Sequence, residues 1–323
     1  MTYTLIGKHE MDTRDCRDGY VDALMDEMRS NDRIVHIDCD LAGCVNATKI
    51  KKEYPKRFIN AGIAEANAMG VACGLSATGM IPFMHTFGVF AGRRIFDQAF
   101  LSAGYSRWPV HVIGTDPGVT AAINGATHMP FEDGGLYRII PEAVVLDPCD
   151  YAQVYSLTKK LISCDRLSYM RLIRRGFKTI YADGSEFEIG KGITLKEGKD
   201  ATIIASGIMI DNALKAWELL EAEGIHARLI DMFTWKPLDE QLVLKAAEET
   251  GAIVTAENHF IGSGLGSAVA QLLSEKKPTV QEFIGIHDQY GQVGKQEELE
   301  REYHLSAEDI VSAVRKAIDR KRI

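Results

Sequence analysis

At 323 residues the chain is long enough for roughly two domains of about 150 residues each, and with 46% apolar and 25% charged residues it has ordinary globular usage, which excludes a disordered or collagen-like chain. Its 37 basic and 45 acidic residues leave a net charge of −8 with no basic block longer than Arg320-Lys321-Arg322, so a footprint built on phosphate neutralisation is not expected. No apolar run approaches the roughly 20 residues of a membrane helix, and the opening MTYTLIGKHEMDTRD lacks the basic start and apolar core of a signal peptide, so a cytoplasmic protein is expected.

Short runs rich in Val and Ile alternate with helical patterns along the whole chain, which points to parallel sheets covered by helices. In the first half the helical pattern of Tyr20–Arg29 precedes a strand at Arg33–Asp38. Then follow a helix at Glu65–Ala77, strands at Met80–Thr86, Val110–Asp116 and Ala143–Asp147, a helix at Asp150–Ile162 and a strand at Ser168–Arg174. The turn-rich segment from Arg175 to Asp200 holds no long period, and a boundary is expected there. The second half restarts with Ala201–Ser206 and continues in strict strand–helix alternation through Asn212–Ala222, His226–Asp231, Asp239–Thr250, Ala252–Glu257, Gly266–Glu275 and Val280–Ile286. Ser306 and Asp309 form a capping box for a last helix whose Ile310, Val311, Val314 and Ile318 fall at helical spacing. The fold class is therefore α/β, with two consecutive parallel-sheet domains: residues 1–185, a linker at 186–198, and a smaller domain at 199–323.

The six cysteines, Cys16, Cys39, Cys44, Cys73, Cys149 and Cys164, include no C-x-x-C pair. They read as reduced thiols, and no metal site is expected on this chain. Gly262-Ser-Gly-Leu-Gly266 follows a strand but lacks the G-x-G-x-x-G spacing of a dinucleotide loop, and close strand–helix packing explains it.

The most informative stretch is Arg57–Gly79, RFINAGIAEANAMGVACGLSATG. Asn60 is expected to cap a helix whose first turn holds Glu65 among Ile63, Ala64, Ala66, Ala68, Met69 and Val71. Burying a carboxylate costs several kcal/mol unless it is bonded or neutralised, and a helix N-terminus returns only about 0.3 to 1 kcal/mol. Glu65 therefore either faces solvent, as first-turn acids often do, or meets a ligand that wants a proton held in an apolar place. Phe87 and Phe90, by themselves, read as core residues at helix-like spacing. His128, in a turn after Gly125-Ala-Thr, is either structural or a group able to donate to a carbonyl oxygen as charge develops. Arg171 and Arg174 lie at the end of an apolar strand, where guanidinium groups suit bidentate recognition of phosphate or sulfonate.

Together these residues resemble the pyrimidine-binding domain of thiamine diphosphate enzymes, in particular the C-terminal half of transketolase. The pattern N-x-G-I-x-E-x-x-x-x-G stands here as Asn60, Gly62, Ile63, Glu65 and Gly70. It is followed by Thr86-Phe87-x-x-Phe90, Asp97-Gln98, Gly125-Ala-Thr-His128, Asp147-Pro148 and Met170-Arg-Leu-Ile-Arg-Arg175. In the second half VTAENHFIGSGLGSAVAQLL and HDQYGQVGKQEELEREYHLSAEDI are similar to the transketolase C-terminal domain, so the resemblance covers nearly the whole chain.

The resemblance implies that Glu65 hydrogen-bonds a ring nitrogen of the cofactor's aminopyrimidine, holding a proton that a Gln could not share. It also implies that Ile63, Phe87 and Phe90 line the pyrimidine, Phe90 as the stacking partner, that His128 acts on the substrate, and that Arg174, with Arg171, clamps a sugar phosphate. Asp116 and Asn124 occupy substrate-reading positions where transketolases carry His and Asp, and Ile123 stands in place of a Glu. Those departures imply a modified, branched or sulfonated ketose donor. The G-D-G…N signature that holds the diphosphate and Mg²⁺ in full-length transketolases has no counterpart here. The expected protein is thus one subunit of a split, thiamine diphosphate-dependent transketolase, inactive alone. It would work in an α2β2 assembly with an N-terminal subunit that carries the diphosphate and Mg²⁺, its own C-terminal domain serving dimer assembly. Two other readings stay open at this point: the β-subunit of a 2-oxoacid or acetoin dehydrogenase, and a non-catalytic α/β binding protein.

Overall fold

The structure, a computed structural model, describes residues 1–321. Its first sheet contains β1 (Ile34–Asp38), β2 (Phe58–Asn60), β3 (Ile81–Phe87), β4 (His111–Thr115), β5 (Val144–Leu146) and β6 (Ser168–Leu172). The second contains β7 (Ile193–Lys196), β8 (Ala201–Ala205), β9 (Ala227–Asp231), β11 (Ala252–Phe260) and β12 (Val280–Ile286). Between β9 and β11 lies β10 (Thr234–Lys236), which leaves the second sheet and joins the first.

The strand order of the first sheet is β10-β5-β6-β4-β3-β1-β2, parallel except for β10, and that of the second is β12-β11-β8-β9-β7, parallel except for β7. Strands such as β1, IVHID, are buried at every position because helices cover both faces. Ile34 belongs to the same core cluster as Tyr20, Leu24 and Leu157 of the helices Cys16–Met28 and Tyr151–Leu161, while Val35 and Ile37, on the other face, belong to a second cluster with Ala68, Met69 and Ala72 of the helix Glu65–Ala77. One side of the second sheet is covered by the helix Ala307–Lys321 through Ile310, Val311, Val314 and Ile318. Each such aliphatic side chain contributes about 1.5–3 kcal/mol when fully buried. The Ser306–Asp309 capping box is formed, with Ser306 N donating to Asp309 Oδ2 at 3.1 Å and Asp309 N to Ser306 Oγ at 3.2 Å.

Two local expectations are corrected. Asn60 does not cap the helix: it ends β2, a strand too short to stand out in the sequence, and the helix starts at Glu65 itself after Ala64. The Asn60 side chain accepts from Gly62 N at 2.9 Å and donates to Asp40 Oδ1 at 3.0 Å, so it shapes the turn instead. Strand and helix do not strictly alternate in the second half, because β10 follows β9 directly and pairs antiparallel with β5. The segment after β3, from Phe90 to Tyr105, is helical with two π-type stretches, at Phe90–Arg94 and Ala99–Tyr105.

The two sheets are tied by buried polar contacts. Ser206 Oγ donates to Asp147 Oδ2 at 2.8 Å, and Asp147 N donates to Phe233 O at 2.8 Å. Arg171 is fully buried between them. Its Nε lies 2.9 Å from Asp133 Oδ2, its Nη1 3.4 Å from Asp147 Oδ1, and its Nη2 donates to Asn258 O at 2.9 Å. The glycines of Gly262–Gly266 serve a close approach. A Cβ on Gly264 or Gly266 would collide with the Glu257 carboxylate, which accepts from Leu265 N at 2.7 Å and Gly266 N at 2.8 Å at the head of the helix Leu265–Lys276. The six cysteines form no disulfide, and among the described residues no helix is long and apolar enough to cross a membrane.

Candidate active site

All strands of the first sheet except β10 run parallel, so their carboxyl ends share one edge, where open α/β sheets place their ligands. Glu65 heads the helix that follows β2, Phe87 ends β3, Asp116 follows β4, and Arg174 follows β6. The edge is stiffened by a buried network in which His85 Nδ1 lies 3.0 Å from Asp38 Oδ2 and His85 Nε2 3.2 Å from Thr115 Oγ1. Asp38 also accepts from Leu41 N at 2.6 Å. Burial disfavours the charged forms of both partners. It lowers the His85 pKa, but at Asp38 it is overcome by the hydrogen bond with His85 and the nearby His36 ring 3.8 Å away, so that this carboxyl is held below its usual range.

Glu65 is 1% exposed. Its Oε2 is 2.7 Å from Arg94 Nη1, and its Oε1 accepts from Thr86 Oγ1 at 3.4 Å. The Arg94 guanidinium carbon in turn lies 3.9 Å from the centroid of the Phe90 ring. Burial and the nearby Glu65 charge push the Cys39 thiol up to about 12, so it sits beside this carboxylate as a neutral, apolar neighbour.

Phe87, Phe90 and His128 form one aromatic cluster. The two Phe rings are 6.2 Å apart, and His128 meets Phe87 at 5.7 Å and Phe90 at 5.6 Å, both edge to face. Thr127 Oγ1 lies 2.9 Å from His128 Nδ1. On the other side of Phe87 stands Arg174, its guanidinium carbon 5.8 Å from the ring centroid. Arg174 meets Asp116 with Nε to Oδ1 and Nη2 to Oδ2, both at 3.1 Å. Burial raises the Asp116 pKa, and Arg174 offsets part of that rise. Asp116 has φ 59 and Ala122 φ 48, left-handed backbone that costs a non-glycine residue of order 1 kcal/mol or more.

The strained loop between these residues is held by the second half of the chain. Asn258, near the end of β11, accepts from Val119 N at 2.9 Å and donates to Pro117 O at 2.9 Å. Gly125 packs so closely against Val293, and Gly291 against Met129, that a Cβ on either would clash. The C-terminal region thus buttresses the loop that carries Asn124 and His128, a contribution not foreseen from the sequence.

The residues expected at a site are therefore mostly gathered on one edge, in a chain of contacts from Glu65 through Arg94 and Phe90 to His128, Phe87, Arg174 and Asp116. Ile63 and Asn124 are exposed, in the turn before the Glu65 helix and at the end of the loop. Arg171 departs from expectation: it is fully buried, its Nε and Nη2 are bonded to Asp133 and Asn258 O and its Nη1 is ion-paired with Asp147, and it ties the sheets together instead of facing Arg174. Arg94 was missed by sequence reasoning; its signal was the Arg93-Arg94 pair three residues past Phe90.

Residues 12–178 match the pyrimidine-binding domain of transketolase and residues 190–310 match the transketolase C-terminal domain. The chain belongs to the transketolase family. It is 43% identical to the 6-deoxy-6-sulfo-D-fructose transketolase subunit SqwH of Clostridium sp. (strain MSTE9), over 94% of this chain and 95% of that one. It is 36% identical to an apulose-4-phosphate transketolase subunit of Phocaeicola vulgatus, over 91% of this chain and 95% of the relative. Among solved structures, a split gene transketolase described as an inactive beta4 tetramer superposes with a TM-score of 0.87 at 42% identity, covering 95% of this chain and 99% of that one. Human transketolase is 31% identical, over 93% of this chain but 48% of its own length. This transketolase-family chain thus matches single subunits of split enzymes end to end, and half of a full-length one.

Proposed function

We propose that this chain is the pyrimidine-binding subunit of a split transketolase, transferring a two-carbon ketol unit from a ketose to an aldose with thiamine diphosphate. The observation that carries the reading is Glu65: a 1% exposed carboxyl at the head of a helix, joined through Arg94 to the Phe90 ring and so to His128. A buried carboxyl beside aromatic faces is the donor set that an aminopyrimidine requires, so the residues present fit that end of the cofactor. When bound, thiamine diphosphate supplies the electron sink that lets a carbon–carbon bond next to a carbonyl break.

In this reading Glu65 holds a proton at the pyrimidine ring nitrogen, and Thr86 orients the carboxyl. Phe87 and Phe90 exclude water and offer a ring face worth about 0.5–1.5 kcal/mol beyond its area. His128 reaches the substrate oxygen on which charge develops, and Thr127 fixes its ring. Asp116 engages the Nε and Nη2 edge of Arg174, which leaves the Nη1 side to meet an anionic sugar. Exposed Ile123 and Asn124 stand where the substrate hydroxyls would lie, a less polar reading surface than an acid pair. The sulfonated substrate in the name of the 43% identical relative supports a modified ketose here too. The diphosphate and Mg²⁺ would be gripped by a second chain, in an α2β2 assembly.

The test is reconstitution. This chain mixed with a chain bearing the G-D-G signature, thiamine diphosphate and Mg²⁺ is assayed for glycolaldehyde-unit transfer from phosphorylated and sulfonated ketoses. Activity of the mixture, little from either chain alone, and loss of activity in Glu65→Gln are expected. Turnover by the Glu65→Gln mixture matching wild type would refute the reading.

A further inference from the structure

Arg94 makes the two contacts that a pyrimidine in this site would make. Its Nη1 is 2.7 Å from Glu65 Oε2, and its guanidinium carbon stands 3.9 Å over the Phe90 ring. A guanidinium is a flat cation with N–H donors on its edge and faces that stack on aromatic rings. A ring nitrogen carrying the proton shared with Glu65 presents the same combination: a planar π-system with one N–H aimed at the carboxylate. The same carboxylate oxygen and the same ring cannot serve both groups at once.

Exposure adds the access argument. The Glu65 side chain is 1% exposed and that of Arg94 44%, so the Arg94 head group stands between the carboxylate and solvent. Its own backbone lies in the π-type stretch Phe90–Arg94, where the helical ladder is wider than in an α-helix. Because the side chain is long and already half in water, it can swing outward at the cost of one ion pair and one ring contact, with no loss of core packing.

Building on the assignment of Glu65 to the cofactor, we propose that Arg94 is a gate: it occupies the pyrimidine seat, and loading of thiamine diphosphate requires its displacement. Only the swung-out population then binds, so the apparent affinity and association rate are both reduced by the fraction of time the seat is open. An open fraction of about one in ten weakens apparent binding about tenfold.

The experiment follows thiamine diphosphate uptake by the chain assembled with its diphosphate-gripping partner in the presence of Mg²⁺, using calorimetry for affinity and stopped-flow fluorescence for association. Arg94→Met keeps the aliphatic bulk and removes the head group; it is expected to bind about tenfold tighter and to associate faster. Arg94→Lys keeps the charge without the planar fork and is expected to fall between wild type and Arg94→Met; it also carries the test should Arg94→Met fail to fold. Binding unchanged or weaker in both variants, with melting temperatures like wild type, overturns the gate. Uptake that ignores Arg94 but is lost in Glu65→Gln sinks the gate alone. No uptake by wild type or by either Arg94 variant sinks the functional reading with it.

Discussion

Arg174 and Asp116 meet edge to edge at the carboxyl ends of the neighbouring strands β6 and β4, with both nitrogen–oxygen distances 3.1 Å and the carboxylate almost fully buried. The pair holds the guanidinium plane beside Phe87 before any substrate arrives, so an anion bound there would not have to order a free arginine. Replacing Arg174 by Leu removes a charge-assisted contact worth about 1.5–3 kcal/mol, so KM for phosphorylated or sulfonated ketoses is expected to rise roughly 10- to 100-fold. An uncharged ketose measured alongside should be nearly unaffected; an equal rise for both would count against an anion clamp. Asp116→Asn, which keeps the shape but not the charge, should give a smaller rise in the same assay.

His128 and Phe90 touch each other, yet they should fail differently. His128→Ala is expected to lower kcat by about 10²- to 10⁴-fold, the range for losing one positioned proton donor, while cofactor affinity measured by calorimetry stays near wild type. Phe90→Ala removes a stacking face and should weaken cofactor binding about 3- to 10-fold. The opposite pattern in the two variants would exchange their roles.

Much of this site could be read before the fold was known, because chemistry that needs a buried acid, paired rings and a turn histidine leaves unusual residues in apolar surroundings. Glu65 stood out as the acid in IAEANAM, and its helix, Glu65–Ala77, runs as the pattern indicated. Two kinds of information were hidden. Three-residue strands such as β2 and β10 carry no periodicity, and β10 joins a sheet far away in sequence, so neither was legible. Side-chain direction was hidden as well. Arg171 and Arg174 look alike in MRLIRR, but Arg171 sits inside β6 and points between the sheets, whereas Arg174 has passed the strand end and is free to turn to the edge.

That difference has a direct consequence for stability. Arg171 is the counter-ion of Asp133 and Asp147, all three buried; burial raises the Asp133 pKa, but Arg171 reverses this and holds it below its ordinary value. Arg171→Met therefore leaves two carboxylates uncompensated, a loss of about 3–5 kcal/mol for breaking a buried pair. Urea unfolding should show that loss, or the variant should fail to accumulate as folded protein. Arg174→Leu, at the partly exposed edge, leaves only Asp116 without its counter-ion and should lose clearly less stability than Arg171→Met. Equal stability of Arg171→Met and wild type would remove the interdomain tie from the account.

Asp231, at the end of β9, is fully buried, and burial raises its pKa to about 7 although Tyr181 Oη and Gln153 Nε2 donate to its Oδ2 at 2.7 and 2.8 Å. Its Oδ1 has no hydrogen-bond partner, which is where a proton would sit. Unfolded, the same carboxyl titrates near 3.9. Between those values the folded chain holds a proton that the unfolded chain has released, so stability falls as pH rises through the window and levels off above about 7. Asp150 and Glu257, raised by burial to about 6 and about 8, push in the same direction. Asp231→Asn imitates the protonated form, with an oxygen for Tyr181 and Gln153 and nitrogen where the proton was. Its melting temperature should exceed that of wild type at pH 8 by several degrees, from a gain of order 2 kcal/mol, and the gap should close toward pH 4. A difference independent of pH, or one that favours wild type more strongly at pH 8 than at pH 4, would mean that Asp231 stays ionised in the folded chain.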